Sequence, residues 1–544
     1  MKRTTLAVLM IALALVALAA PAAFAQAPAP KVTIAGLIDN LTTYQNNVSN
    51  VDGILNRNDH QWYARTRGRF DFIGEVGKAK GVLGIELDHV YGQAGSNDST
   101  IVNAGAASGT AVQTQFGTDG SFDLNTDSRG IIEIKWLYVE FPVPLIPVPT
   151  TARLGAQPFG TASTFKTCAF TCSDFPGVNI TSQVTPNVKI LATYVQVEEN
   201  LVGTGTKTGK PGPVGVSQTQ NRGNDFAAIL SAEVTPFKGL DLKPMWATFY
   251  AQGTTNGNAR QGRGGIGTST EFTGTGGASR GGINEYRHTV GLDARLRMGP
   301  LSLDPTFLYQ FGQRTTVATG TFAQAGAVAG KKYYADISAF LFDLRAGYQL
   351  GPLLLEGLGV YSSGNRSRNT TLDTVSYFQP LTTDTGYLID WGTQLTSLGL
   401  DYLNAMNEAG ARVAYPAVAI GWDKYGRAQV GFKGTYAITP ALSAMAGINF
   451  HWTAESVDKT SLPVAGVGLV PNWSPGVQEN KSNFLGTELM ALISWKFAPG
   501  LVWDNGFGYM FAGPALSTLL TDPTSGPRNA KDPYILTSRV RFTF

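Results

Sequence analysis

Residues 286–298, YRHTVGLDARLRM, alternate with a period of two. Tyr286, Val290, Leu292, Ala294, Leu296 and Met298 share one face with His288, its one residue that is not apolar, while Arg287, Thr289, Asp293, Arg295 and Arg297 take the other. Successive side chains of a strand point to opposite sides, so this is a strand with one oily and one wet face. The next segment, LSLDPTFLYQFGQR, repeats the pattern, with Leu301, Leu303, Phe307, Tyr309 and Phe311 against Ser302, Asp304, Thr306, Gln310 and Arg314. A period of two rather than 3.6 runs to the end of the chain.

Alternation alone also fits a soluble sandwich with an apolar inner face; the connections discriminate. Short Gly- or Pro-bearing turns, such as GKAKG after Val76, GP at 299 and 351, TP at 439 and APG at 498, alternate with polar stretches at 92–128, 254–283 and 454–481. Tight turns at one end and long loops at the other are the plan of a membrane barrel. Eighteen strand-length segments result, from 31–44 to 534–544, sixteen being the next count. The expected fold is therefore all-β: a transmembrane antiparallel up-and-down β-barrel of about 18 strands, with short periplasmic turns and long extracellular loops. Aromatic residues at both ends of the oily faces, among them Trp62, Tyr250 and Tyr286 at the loop ends and Tyr138, Trp495 and Phe544 at the turn ends, form two expected interfacial girdles.

The N-terminus reads as a secretory signal peptide over 1–25: Lys2 and Arg3, an apolar run from Leu6, then Ala23 and Ala25 before Gln26. The remainder, 26–544, shows no linker or composition break and is read as one barrel domain. No later stretch approaches the roughly 18 consecutive apolar residues of a spanning helix. With 42 basic against 39 acidic side chains, two of the former in the leader, charge gives no pull toward nucleic acid.

If the oily face meets lipid, the other lines a channel. Its basic candidates are Arg65, Arg67, Arg69, Arg295, Arg297, Arg539 and Arg541, and its acidic candidates Asp71, Glu86 and Asp88. Closure makes the first and last strands neighbours, so Arg65, Arg67, Arg69, Arg539 and Arg541 flank KVTIAGLIDN as a basic stripe. Two readings stand side by side: a transverse field that biases ion flow, or arginines that pair with Glu86 and Asp88 and stiffen the wall. Cys168 and Cys172, in CAFTC, are the only cysteines, and in an exported chain an intraloop disulfide is expected. The spacing is not that of a C-x-x-C redox site, and the four scattered histidines argue against a metal. No cofactor is expected.

The chain resembles a Gram-negative outer-membrane porin. KVTIAGLID is similar to the first strand of general porins, RGRFDFIGEV to their second, ARLGAQPFG to the strand leading into their third loop, and SRVRFTF to the C-terminal assembly signal, with Val540, Phe542 and Phe544. The resemblance implies a third loop, here 158–176, folded into the lumen and stiffened by Cys168–Cys172. The acidic-aromatic-glycine signature of that loop is absent, and Lys166, Asp174 and Phe175 are its nearest chemistry. The expected partners are outer-membrane lipid, small hydrophilic solutes or ions, the barrel assembly machinery and further copies of the chain, as a trimer, with a monomer as the alternative.

The long stretch 364–425 is read as a surface cap packed on neighbouring loops, with a lid as the alternative and a short helix at WGTQLTSLGLDYLNAM. No base stands beside a nucleophile in a pattern that would support an enzyme. The expected function is passive diffusion of small solutes across the cell outer membrane. A substrate-selective or polysaccharide-exporting barrel is one alternative, and a structural barrel that anchors a surface layer or sheaths a partner is another.

Overall fold

The computed structural model describes residues 29–47, 60–91, 131–160, 162–171, 174–198, 225–253, 283–317, 331–366, 373–381, 391–393, 395, 420, 425–457, 460–464, 468–471, 482–516, 518–520, 527–528 and 530–544. Eighteen strands form the wall: β1 (Lys31–Asn46), β2 (Gln61–Val76), β3 (Ala79–Tyr91), β4 (Ile131–Pro142), β5 (Thr150–Pro158), β6 (Asp174–Thr185), β7 (Val188–Glu198), β8 (Asp225–Phe237), β9 (Leu240–Gly253), β10 (Ile283–Met298), β11 (Leu301–Val317), β12 (Lys332–Leu350), β13 (Leu353–Ser362), β14 (Arg427–Thr439), β15 (Leu442–Trp452), β16 (Phe484–Ala498), β17 (Leu501–Ala512) and β18 (Tyr534–Thr543). Each pairs antiparallel with its neighbours in sequence, and β1 also pairs with β18, from Leu37↔Thr543 to Asn46↔Tyr534, which closes the barrel. The strand count and order agree with the sequence reading.

Closure answers the main demand of a hydrocarbon solvent, which offers no partner for a free N–H or C=O. The seam is completed beyond the last strand residue: Gly36 N donates to Phe544 O at 2.9 Å, and Phe544 N donates to Gly36 O at 3.1 Å. The Phe544 ring lies over Gly36, where any Cβ would collide with it. At the tight turns, Gly299 and Gly351 take left-handed φ values of 57° and 55°, which Gly adopts without a Cβ penalty.

The exterior is apolar. On β12, Tyr334, Phe340, Phe342 and Tyr348 face out, and rings gather at both rims, including Tyr250–Tyr286 at 4.7 Å and Trp495–Trp503 at 6.3 Å between centroids. One member of the expected girdles is misplaced. β3 and β4 shift register between Gly84 and Ile85, which pair with Trp136 and Ile134 respectively, so Lys135 is an extra residue in β4. Such a bulge reverses the parity of the strand beyond it. Ile134 faces out on one side of the bulge and Leu137 and Val139 on the other, while Trp136, Tyr138 and Glu140 turn into the lumen.

The lumen is partly filled by the chain itself. The described parts of 159–171 and of 363–395 fold inside, placing Phe159, Phe170, Phe378, Leu381 and Trp391 against Ala227, Met245, Phe249, Leu341, Met445 and Met490 of the wall. The stretch expected as an external cap is therefore an internal one where it is described. Its physical reason is β12, whose lumenal face carries Ala335, Ile337 and Leu341, an apolar surface that Val375, Tyr377 and Phe378 cover. Most of 391–406, expected to include a short helix, lies outside the described residues.

Replacing Gly36 with Leu forces a side chain under the Phe544 ring. The expected result is a loss of about 1–3 kcal/mol in barrel stability, read as a lower denaturant midpoint of the refolded chain in detergent.

Candidate functional site: a charged lumen narrowed by two inward segments

Strands β1, β2, β3, β17 and β18 bring five arginines to one wall, where three carboxylates meet them. Arg65 Nη2 donates to Asp39 Oδ2 at 2.7 Å. Arg539, from the other end of the chain, donates to the same carboxylate through Nε (2.8 Å) and Nη2 (2.6 Å). Arg67 Nη2 lies 3.0 Å from Glu86 Oε1, Arg69 pairs with the other oxygen of Glu86, and Arg541 pairs with Asp504. Asp39 and Arg65 are each only 1% exposed, whereas the Arg69 and Arg541 side chains keep 35% and 38% of their surface. The five guanidinium groups thus all meet carboxylates of the wall, Asp39, Glu86 and Asp504. Asp71 accepts a hydrogen bond from Trp136 Nε1 at 2.8 Å, and the Asp88 side chain lies outside the described residues.

The third loop is fixed to the opposite wall through Lys166. Its ammonium donates to Asp304 O at 2.7 Å and lies 3.2 Å from Asp343 Oδ1 and 3.9 Å from Asp293 Oδ1. Phe165 N and Lys166 N donate to Asp293 Oδ2 at 2.6 and 3.2 Å, and Arg295 Nη2 donates to Phe165 O at 2.8 Å with its guanidinium 4.7 Å from the Phe165 ring centroid. Burial holds the Lys166 ammonium below its ordinary pKa, against the opposing pull of Asp343 and Asp293. Lys166 and Arg295 are therefore anchors of the loop, with their charged groups turned to the wall. Arg297 pairs with Asp304 near the turns, 2.9 Å from Nη2 to Oδ2. Asp174 lies 3.2 Å from Lys135 Nζ, and Phe175 is buried against Phe159, ring centroids 4.2 Å apart. Cys168 is disulfide-bonded; Cys172 lies outside the described residues.

The second inward segment is held by a polar ladder. Gln379 N donates to Gln310 Oε1 at 3.0 Å and Gln310 Nε2 donates back to Gln379 O at 2.7 Å. Arg314 Nη2 donates to Tyr377 Oη at 2.9 Å while its Nε donates to Glu285 Oε2 at 2.9 Å. Further along, Trp391 Nε1 donates to Asn449 Oδ1 at 3.0 Å, and Leu395 N donates to Glu488 Oε1 at 3.1 Å. The two segments also touch, Leu381 N donating to Phe170 O at 2.8 Å. The lumenal face carries further ion pairs, Glu140 with Arg153 and Lys80, and Glu233 with Lys189 and Lys243.

Sequence reasoning passed over Asp39, Asp504 and Tyr377, and put Asp293 and Gln310 on the wet face without giving them a partner. Asp39 was within reach, because it lies on the lumenal face of β1 between two arginine-bearing strands. Gln310 and Tyr377 gave no signal before their segments were known to meet.

Neither protein-family models nor curated proteins give a match. Among solved structures, the chain is similar to Pseudomonas aeruginosa OccK5 (OpdH), with 10% identity over 94% of this chain and 98% of that one and a TM-score of 0.45. It is similar as well to the outer membrane protein OprD from Pseudomonas aeruginosa (10% identity, 96% and 95% covered, TM-score 0.43) and to Acinetobacter baumannii OccAB1 (10%, 94% and 97%, 0.43). TM-scores below 0.5 decide nothing about function, which is read from this chain's own lumen.

Replacing Lys166 with Met removes the cation between Asp293 and Asp343, leaving Asp343 with Arg345 and Asp293 with its donors Phe165 N, Lys166 N and Thr306 Oγ1. The expected cost is about 1–3 kcal/mol, that of lost hydrogen bonds to a charged group, measured as a lower unfolding midpoint, together with faster proteolytic cutting within 159–171.

Proposed function

We propose that this chain is an outer-membrane channel for passive diffusion of small hydrophilic solutes and ions, selecting on size and on the lumenal arginine stripe of the seam wall. The carrying observation is a closed 18-strand barrel, apolar outside, whose lumen holds water-accessible charge in the group of Arg69 and Arg541. A barrel of this strand number leaves room for an aqueous path, and the inward segments narrow it from the β7–β16 side. The leader-like N-terminus supports export, and an apolar belt between aromatic rims supports insertion in the outer membrane. Transport on this reading is by sieving and electrostatics, without chemistry on the solute.

A structural barrel is the second reading, and the apolar packing of Phe170, Phe378, Leu381 and Trp391 inside the lumen favours it. Planar-bilayer recording of the refolded chain separates the two. Discrete ohmic conductance supports the channel, and its absence overturns it in favour of the structural reading.

Exchanging Arg67, Arg69 and Arg541 for Glu replaces three cations of the seam wall with anions. The expected outcome is a several-fold fall in the anion-to-cation permeability ratio, read from the reversal potential under a salt gradient.

A further inference from the structure

The bulge at Lys135 gives the lumen something that a charged wall alone lacks, an oriented aromatic face. Trp136 pairs with Gly84 across the β3–β4 ladder, and a Cβ at Gly84 would collide with Nε1, Cδ1 and Cε2 of the indole together. The ring therefore lies flat on the wall above that glycine, with its other face toward the lumen, and the side chain is partly exposed. Its Nε1–H donates to Asp71 Oδ1 at 2.8 Å, which fixes the rotation of the ring. One same-face step further toward the turns, roughly 7 Å along the strand, stands Tyr138, one face of which is covered by the Arg153 guanidinium at 4.6 Å. Arg153 donates to Glu140 Oε2 from Nε at 2.9 Å and from Nη2 at 2.6 Å, and Lys80 Nζ lies 2.8 Å from Glu140 Oε1. The side chains of Lys80, Arg153 and Glu140 are all partly exposed.

We propose that Trp136, with Tyr138, Asp71, Lys80, Glu140 and Arg153 around it, is a stacking subsite for a neutral sugar ring in transit. This rests on the channel reading and names a solute class for it. The negative face of an aromatic ring attracts the weakly positive C–H groups of a pyranose face. The hydroxyls at the sugar's edge both donate and accept, matching a border of carboxylates next to ammonium and guanidinium groups. An anionic ring is disfavoured at this spot, because the charge tied to the indole is the Asp71 carboxylate, and Asp71 and Glu140 together balance Lys80 and Arg153. Gly84 is what keeps the platform flat.

The test uses the full-length refolded chain with maltose as the probe, comparing wild type, Trp136→Ala, Trp136→Phe and Gly84→Ala. Binding in detergent is read by calorimetry, and sugar-dependent current reduction in planar bilayers, with salt conductance recorded alongside. The expected result is saturable binding that weakens about tenfold in Trp136→Ala, as loss of one stacking face implies. Phe should restore it in part, Gly84→Ala should weaken it by tilting the indole, and salt conductance should be retained throughout. Wild type that conducts salt but binds no maltose, or binding unchanged by both Trp136→Ala and Gly84→Ala, overturns the subsite while leaving the channel standing. Binding without conductance overturns the channel instead. If Trp136→Ala does not refold, the Phe and Gly84→Ala variants decide by the same criterion.

Discussion

The hydrogen-bonded seam between the two ends of the chain is what the rest of this structure depends on. In hydrocarbon, each open backbone group costs several kcal/mol, so seventeen hairpin-like pairings are of little use until β1 meets β18. The ladder from Leu37↔Thr543 to Asn46↔Tyr534, completed by Gly36 and Phe544, removes the last edge. Everything lumenal follows from that closure, because it decides which side chains face each other across the inside.

The wall of the barrel was legible in the sequence because two solvents read each strand. Lipid on one side and polar lumen on the other impose a period of two, and segments such as 286–298 carry it almost without exception. Where the inside is not water, the signal fades. Ala335, Ile337, Ala339 and Leu341 make this stretch of β12 apolar on its lumenal face, since that side packs under the chain's own segments. From sequence, Asp336 and Ser338 on the opposite face blur which side of that strand is oily, and nothing in it says that residues 373–381 return to cover it.

The lumen was less legible, for two physical reasons. Parity counting assumes an unbroken ladder, and a single extra residue at Lys135 defeats it: Tyr138, expected at the lipid boundary, stands inside with Arg153 against its ring. Partner choice also depends on register across sequence distances that no pattern reveals. The arginines of the seam were placed on the right face from alternation, yet the carboxylates that hold Arg539 and Arg541 are Asp39 and Asp504, the first some 500 positions away in the chain. Lys166 shows the same limit, since its partners lie on β10, β11 and β12 and turn a presumed pore group into a clamp.

The shared carboxylate of Asp39 ties assembly to electrostatics. Its two cationic partners come from the second strand and from the last, so half of its neutralisation is present as soon as the first hairpin forms and the other half arrives only at closure. A buried carboxylate between strands thereby acts as a register mark. If β18 docked one residue out of step, Arg539 and Arg541 would turn to the lipid face and Asp39 would keep Arg65 alone. The same few atoms that shape the field in the pore thus also distinguish a correctly joined barrel from one joined out of frame.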